Sequence, residues 1–297
     1  MSGADKVSRR DILKVGGLAA AAALVELKTG LFSAMFGSVK DKVLSSDLYW
    51  ETTPPIHSLD QGAKRILEGL KILPGIDYSK VIISDQGGAK KVWVNTEDPD
   101  FVPASVLKVA ICEEAWKIRP DLLTPEMATK ILKVSESSAD LFMSLPQAEG
   151  RTISDRDVII KDLLSDTGAD VVSPRGEMSL KVNLESYFAY LHDSDFPDVM
   201  LSAMRQTSAD ASQSKVAQVL STFVDLDTTP VYFKLGLDSV PGSLGDEPLV
   251  SYFFRVGDIN VLGYVVGTDQ QSALNQLYSV AAVVGSYASN KSGMSSK

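Results

Sequence analysis

Ser105 and Lys108 stand three residues apart in the run Phe101-Val-Pro-Ala-Ser-Val-Leu-Lys-Val. On a helix, positions i and i+3 share a face, so this spacing lays an ammonium beside a hydroxyl. A serine is a weak nucleophile until a neighbouring base takes its proton. A lysine serves as that base only when burial or a second cation lowers its pKa. Val106, Leu107, Val109, Ala110 and Ile111 supply the burial. The first helical turn also offers the positive end of the helix dipole to developing negative charge. The chemistry this pair predicts is nucleophilic acyl transfer. The same residues suit a plainer role, in which Ser105 caps the helix and Lys108 snorkels to solvent.

Composition narrows the alternatives. The 297 residues contain two histidines, His57 and His192, and one cysteine, Cys112. An intrachain disulfide and a cysteine zinc cage are therefore excluded, a multi-histidine metal site is not expected, and no metal or cofactor is assigned. A net charge of −9 argues against a nucleic-acid partner, which needs a basic surface. His57 lies in a proline-rich stretch and His192 at a helix end, so both read as structural. Asp193-Ser-Asp and Asp225-Leu-Asp read as loop caps rather than metal ligands. A second Ser-x-x-Lys, Ser212 to Lys215, falls in a polar stretch and reads as solvated surface.

Residues 8–14, Ser-Arg-Arg-Asp-Ile-Leu-Lys, precede an alanine-rich apolar run from Val15 to Val25. A basic segment followed by about 7–15 apolar residues describes a secretory signal, and the run is shorter than the roughly 20 residues that span a bilayer. The paired arginines resemble the twin-arginine export signal. This predicts a chain handed to the twin-arginine machinery and exported to the periplasm or outside the cell. Leu31 to Phe36 adds apolar residues, so the segment could persist as an anchor, the one membrane contact expected. The domain reading is 1–40 as signal or anchor, 45–290 as the folded domain and 291–297 as a flexible tail. Six basic and three acidic residues fall in the first forty, which leaves the remainder at −12.

Certain elements must position the pair. Asp60 to Leu73 has Ala63, Ile66, Leu67 and Leu70 on one helical face. Val81 to Ser84 and Lys91 to Val94 read as strands, with Asp85-Gln-Gly-Gly as hairpin turn chemistry. Helices are predicted over 106–118, 125–134, 138–145, 158–165, 184–191 and 214–224. Val231 to Lys234, Leu249 to Val256 and Ile259 to Thr268 are β-branched and aromatic, and a last helix covers 270–287. Strands at both ends with helices between predict one α+β domain with a mainly antiparallel sheet and a helical lobe beside it.

Two further runs share the order of the first: Ser135-Glu-Ser-Ser-Ala-Asp-Leu and Phe233-Lys-Leu-Gly-Leu. Together the three resemble the Ser-x-x-Lys, Ser-Asp-Asn and Lys-Thr-Gly motifs of the serine β-lactamase and penicillin-binding protein superfamily, class A in particular. The resemblance spans about residues 60–288. It implies a class A β-lactamase-like fold with a five-stranded sheet flanked by helices. It also implies roles. Ser105 is the acylated nucleophile, Lys108 its proton acceptor, and Ser135 the relay to the leaving nitrogen. Lys234 raises the local positive potential, and the backbone N–H groups of Ser105 and Leu237 form the oxyanion hole. Ser137, Leu235 and Gly236 fall where substrate is bound. Lys108 and Ser135 are expected within hydrogen-bond reach of Ser105.

The chain also departs from that pattern. Ser137 stands in place of asparagine, Glu136 of aspartate and Leu235 of threonine or serine. Ser135 follows Lys108 by only 27 positions, which implies a reduced helical lobe and a more open site. Glu177, in Ser173-Pro-Arg-Gly-Glu, is the nearest candidate for a deacylation base and reads equally as an exposed loop residue. Three functions follow: a class A-like hydrolase of β-lactam or related amides, conferring antibiotic resistance; a D-Ala-D-Ala peptidase acting on cell-wall peptides; or a degenerate binding or scaffold protein. The expected partner is a small-molecule or peptide amide, and the expected state is a monomer.

Overall fold

The computed structural model describes residues 53–172, 180–241 and 246–295. The signal-like segment and Glu177 lie outside the described residues. Helix α1, Leu59–Ile72, begins at Ser58, whose hydroxyl accepts from the Gln61 amide. Its buried residues Leu59, Gly62, Ile66, Gly69 and Leu70 follow the three-and-four spacing of one helical face.

Strands β1, Ile76–Asp85, and β2, Gly88–Val94, pair through the two-residue turn Gln86–Gly87. Asp85 Oδ1 accepts from the Gly87 amide at 2.7 Å, and Gly88 at φ +132° takes a conformation that other residues rarely adopt. β3, Asp100–Phe101, leads to a 3₁₀ turn over Ala104–Val106 and then helix α2, Leu107–Ile118. Leu107, Val109, Ala110, Ile111, Cys112, Glu113 and Ala115 are all buried, so α2 is wrapped on nearly every side. Burying one such leucine or isoleucine side chain stabilises by about 1.5–3 kcal/mol.

The lobe around α2 comprises α3 (Pro125–Ala128), α4 (Ala139–Met143), α5 (Arg156–Leu164), α6 (Leu184–Asp193) and α7 (Asp198–Met204), while α8 (Lys215–Ser221) packs on the C-terminal helix. The sequence pattern missed α7, whose Pro197 precedes a run with only Met200, Ala203 and Met204 buried. It also missed the small sheet β3-β5-β4, formed by Asp100–Phe101, Lys181–Asn183 and Val171–Val172. Two- and three-residue strands carry too few side chains for a period to show.

The C-terminal strands β6 (Val231–Pro241), β7 (Asp246–Val256) and β8 (Ile259–Gly267) complete an antiparallel sheet in the order β2-β1-β8-β7-β6. β8 is central and buried along all nine residues. Gly263 there faces Tyr252, and a Cβ on it would stand 2.0 Å from that ring. Helix α9, Gln270–Ser295, covers one sheet face together with α1. It runs past residue 290, where the domain was expected to end, and Lys291 pairs with Asp85 and Asp258. The other face contributes Ile82, Phe253 and Leu262 to the core of the helical lobe. β6 is left as an edge strand beside α2. Among the described residues no helix is long and apolar enough to cross a membrane.

Candidate active site

The Ser105 turn is fixed from three sides. The Val106 amide donates to Pro103 O at 2.9 Å, the Ser251 hydroxyl donates to the same carbonyl at 2.6 Å, and the Tyr187 hydroxyl donates to Val106 O at 3.0 Å. Ala104 is held at φ +46°, a left-handed conformation that costs a non-glycine residue about 1–2 kcal/mol. Ser105, half-buried, opens the 3₁₀ turn that becomes α2. Its hydroxyl makes no hydrogen bond among the described residues.

Gly236 on β6 explains how closely the edge strand approaches. A Cβ there would stand 2.8 Å from the Ser105 nitrogen, 2.9 Å from Pro103 O and 2.3 Å from Ser251 Oγ. The backbone of the serine therefore lies against the strand. Val231 O accepts from the Gln206 amide, so that residue's polar groups point to the free edge of β6. The register from Val231↔Val256 to Pro241↔Asp246 is unbroken. Alternate residues of a strand face the same way, so Leu237 presents its N–H to that edge too. Two amides, those of Ser105 and Leu237, thus fall where β6 meets the Ser105 turn.

Lys108, Ser135 and Lys234 form one network. Lys108 Nζ donates to Ser135 O at 2.8 Å and to Glu136 O at 2.7 Å. Lys234 Nζ donates to Ser135 Oγ at 2.8 Å, Leu132 O at 3.0 Å and Ile131 O at 3.2 Å. The expected direct bonds from Lys108 and Ser135 to the Ser105 hydroxyl are not made. The amine is held instead by two main-chain carbonyls. These converge because Ser135 sits at φ +66°, a left-handed kink that turns successive carbonyls toward one nitrogen.

The carbonyls that hold Lys234 have a separate origin. Residues Thr129–Lys133 form a π turn, with the Val134 amide reaching back to Thr129 O and the Glu136 amide to Lys130 O. This leaves Ile131 O and Leu132 O unpaired at a helix end, where a cation is favoured. Lys234, 2% exposed, fills that place. From outside, Lys133 pairs with Asp210 at 2.9 Å.

Both lysines are pulled below the usual range. Burial lowers Lys108. Burial first, and then the charge of Lys108, bring Lys234 down to about 7. The two ammonium groups therefore titrate as a pair. Their acceptors differ in number: Lys234 Nζ meets three and Lys108 Nζ two, so Lys108 keeps one position uncommitted among the described residues. Cys112, buried on α2 near both lysines, has its thiol pushed up to about 12 by burial and is inert at neutral pH.

The other predicted positions are less engaged. Ser137 is exposed, and its hydroxyl accepts from the Ala139 amide at 3.1 Å, a turn contact. Leu235 is half-buried and Leu237 is 46% exposed at the strand edge. His57, His192 and the Ser212–Lys215 pair stand apart from the network. Asp225 Oδ1 accepts from the Asp227 amide, as a loop cap does. Among the described residues no three His, Cys, Asp or Glu side chains are grouped to hold a metal ion. Ser251 and the Ile131 and Leu132 carbonyls were not legible as site components. Main-chain acceptors carry no residue letter, and Ser251 joins the site only through the β6–β7 register.

Solved structures with a similar architecture include β-lactamases. A TLA-1 extended-spectrum β-lactamase variant aligns over 77% of this chain and 99% of its own, with a TM-score of 0.52 at 12% identity. The fold is class A β-lactamase-like. β-Lactamases from Chitinophaga pinensis and Sphaerobacter thermophilus give TM-scores of 0.51 each, at 12% and 13% identity. They cover 76% and 75% of the chain and 98% and 95% of their own. No family model and no curated protein sequence matches the chain. The likeness is one of class A β-lactamase-like fold, with the three motif segments at α2, after the π turn and on β6.

Proposed function

We propose that this chain is an exported serine hydrolase that works through an acyl-enzyme on Ser105, with β-lactams or related amides as acyl donors. The observation that carries the proposal is the single network joining Lys108, Ser135 and Lys234 beside the Ser105 turn. The Ser105 oxygen attacks the carbonyl carbon, and its proton passes to Lys108, whose amine keeps one position uncommitted. The oxyanion is met by the Ser105 and Leu237 amides. Ser135, whose oxygen accepts from Lys234, turns its own proton toward the leaving nitrogen. Lys234 holds this serine in place and adds positive potential.

Intact-mass measurement after incubation with benzylpenicillin and a chromogenic cephalosporin tests the reading, with Ser105→Ala as control. An adduct or turnover lost in Ser105→Ala supports it. Neither adduct nor turnover leaves the degenerate binding or scaffold reading. A second catalytic reading, a D-Ala-D-Ala peptidase with a persistent acyl-enzyme, is favoured by one observation. Among the described residues no carboxylate pairs with Lys108, whose amine is held by the Ser135 and Glu136 carbonyls. A stable adduct with slow release is its signature. Export rests on the Arg9-Arg10 run, and accumulation of the full-length chain in cells lacking twin-arginine transport tests it.

A further inference from the structure

The two amides assigned to the oxyanion belong to different elements. Ser105 N lies on the 3₁₀ turn Ala104–Val106, and Leu237 N lies on β6. Their separation is therefore set by whatever ties the turn to the sheet. A side chain of β7 makes such a tie. Ser251, fully buried, stands opposite Gly236 of β6 and Tyr264 of β8 in the register. Its hydroxyl, beside the bare Cα of Gly236, donates to Pro103 O at 2.6 Å. A Cβ on Gly236 would stand 2.3 Å from Ser251 Oγ, 2.8 Å from Ser105 N and 2.9 Å from Pro103 O, so these three atoms close around one point. Between Pro103 and Ser105 lies Ala104, at φ +46°. A non-glycine residue stays in that region only where its surroundings hold it. The Pro103 carbonyl, which opens the peptide to Ala104, is held twice: by the Val106 amide from within the turn and by Ser251 from the sheet. Without the Ser251 hydroxyl that carbonyl keeps the Val106 amide, so the turn survives. What it loses is its anchor to the sheet.

We propose that Ser251 is a positioning residue for acylation: through Pro103 O and the left-handed Ala104, its hydroxyl fixes the Ser105 amide at its working distance from the Leu237 amide. The proposal rests on the acyl-transfer reading of Ser105. Ser251 is fully buried and does not meet the acyl donor. Lys108, Ser135 and Lys234 are joined to one another and to main-chain carbonyls without it. The oxyanion exists only once the serine oxygen has attacked. A misplaced amide therefore weakens the transition state and leaves the initial complex as it was. The loss falls on the acylation step, and not on donor binding or on the lysine pair that sets the pH profile.

The test follows acylation of the full chain by benzylpenicillin, by rapid quenching and intact mass, over a range of concentrations and of pH. Ser251→Ala is expected to lower the limiting acylation rate constant about tenfold or more, with the half-saturating concentration within about twofold of wild type and the pH midpoint within about 0.3 unit. Ser251→Thr and Ser251→Val are a matched pair, alike in shape and in preference for strands but differing in the hydroxyl, and they separate the hydrogen bond from packing. The threonine variant is expected to acylate about fivefold or more faster than the valine variant. Ser286→Ala removes a comparable bond, from Ser286 Oγ on α9 to Pro54 O at 3.0 Å, and is expected to lower the urea midpoint without changing the rate constant. Wild type acylated at Ser105 with Ser251→Ala within about threefold of it overturns the proposal and leaves the acyl-transfer reading standing. Equal rates for the threonine and valine variants, or Ser286→Ala slowed as far as Ser251→Ala, do the same. No adduct and no turnover in the wild type overturns both.

Discussion

Lys234→Met replaces a buried amine by an apolar chain of similar length, and its effect on stability depends on pH in a way that can be worked out. In the unfolded chain the lysine keeps its proton to about 10.5, and in the native chain to about 7. Between those values the unfolded state binds one proton more than the native state, so native stability rises with pH. Below pH 7 both states are protonated, and the native state bears the whole cost of the buried charge. The slope is about 1.4 kcal/mol per pH unit, or about 5 kcal/mol between the two values. Urea unfolding of both proteins at pH 6, 7, 8, 9 and 10 isolates the Lys108–Lys234 pair, because titrating groups outside the pair cancel in the difference. Losing the cap on Ile131 O and Leu132 O displaces the variant's curve as a whole and leaves the slope alone. Wild-type stability minus that of the variant is expected to climb by about 4 kcal/mol from pH 7 to pH 10. A difference that changes by less than about 1 kcal/mol over that span refutes the argument that burial and Lys108 depress this lysine.

Other consequences can be checked directly. Gly236→Ala drives a Cβ against the Ser105 nitrogen and Ser251 Oγ. It should cost about 1–3 kcal/mol in urea unfolding and slow acylation of Ser105 at least tenfold by mass spectrometry; an unchanged acylation rate contradicts the close approach. Acylation should rise with pH through about 7, as the lysine pair gives up its first proton, and a rate constant flat from pH 5.5 to 8.5 is incompatible with a lysine base. Ala104→Gly relieves a left-handed conformation and should raise stability by roughly 0.5–1 kcal/mol, measured as a higher urea midpoint at unchanged m-value. Gly263→Ala, with its Cβ 2.0 Å from the Tyr252 ring, should cost about 3 kcal/mol or more, and a thermal midpoint within a degree of wild type would count against the central-strand fit.

Much of the site could be read from residue letters, and the remainder has identifiable physical reasons for being hidden. Ser105 and Lys108 are local, three residues apart in a 3₁₀ turn and the helix that continues it, so spacing places both on one element, although their side chains do not bond. Lys234 was legible from the Phe233-Lys-Leu-Gly-Leu run and its resemblance to the third motif, although the strand proves longer than the four residues expected. The hairpin at Asp85 was legible because Gln86 and Gly87 form a two-residue turn. What holds these pieces is not local. The carbonyls of Ile131 and Leu132 become available only because the chain adopts a π turn, and Ser135 aims its carbonyl at Lys108 only from φ +66°. Neither conformation follows from propensity, which favours an ordinary helix through Thr129–Lys133. Gly236 read as part of a motif, while its physical work, admitting the Ser105 backbone, appears only once β6 is laid against α2. The fold class followed from the order of elements, but the central place of β8 between β1 and β7 depends on pairing across most of the chain.

Lys234 reaches back 99 residues to the Ser135 hydroxyl, and 102 and 103 residues to the helix-end carbonyls. The chemistry of Ser105 is therefore assembled late. Until β6 has been made and docked, Lys108 lacks the neighbouring charge and the fixed Ser135 carbonyl, and it remains an ordinary solvated amine. β6 in turn is secured by β7 and β8, and β8 finds its second partner in β1, near the start of the fold. Non-local closure of this kind is slow compared with helix formation. On the proposed acyl-transfer reading, a growing or partly folded chain carries Ser105 in an unreactive state, and acylation of Ser105 would report that the last strands are in place.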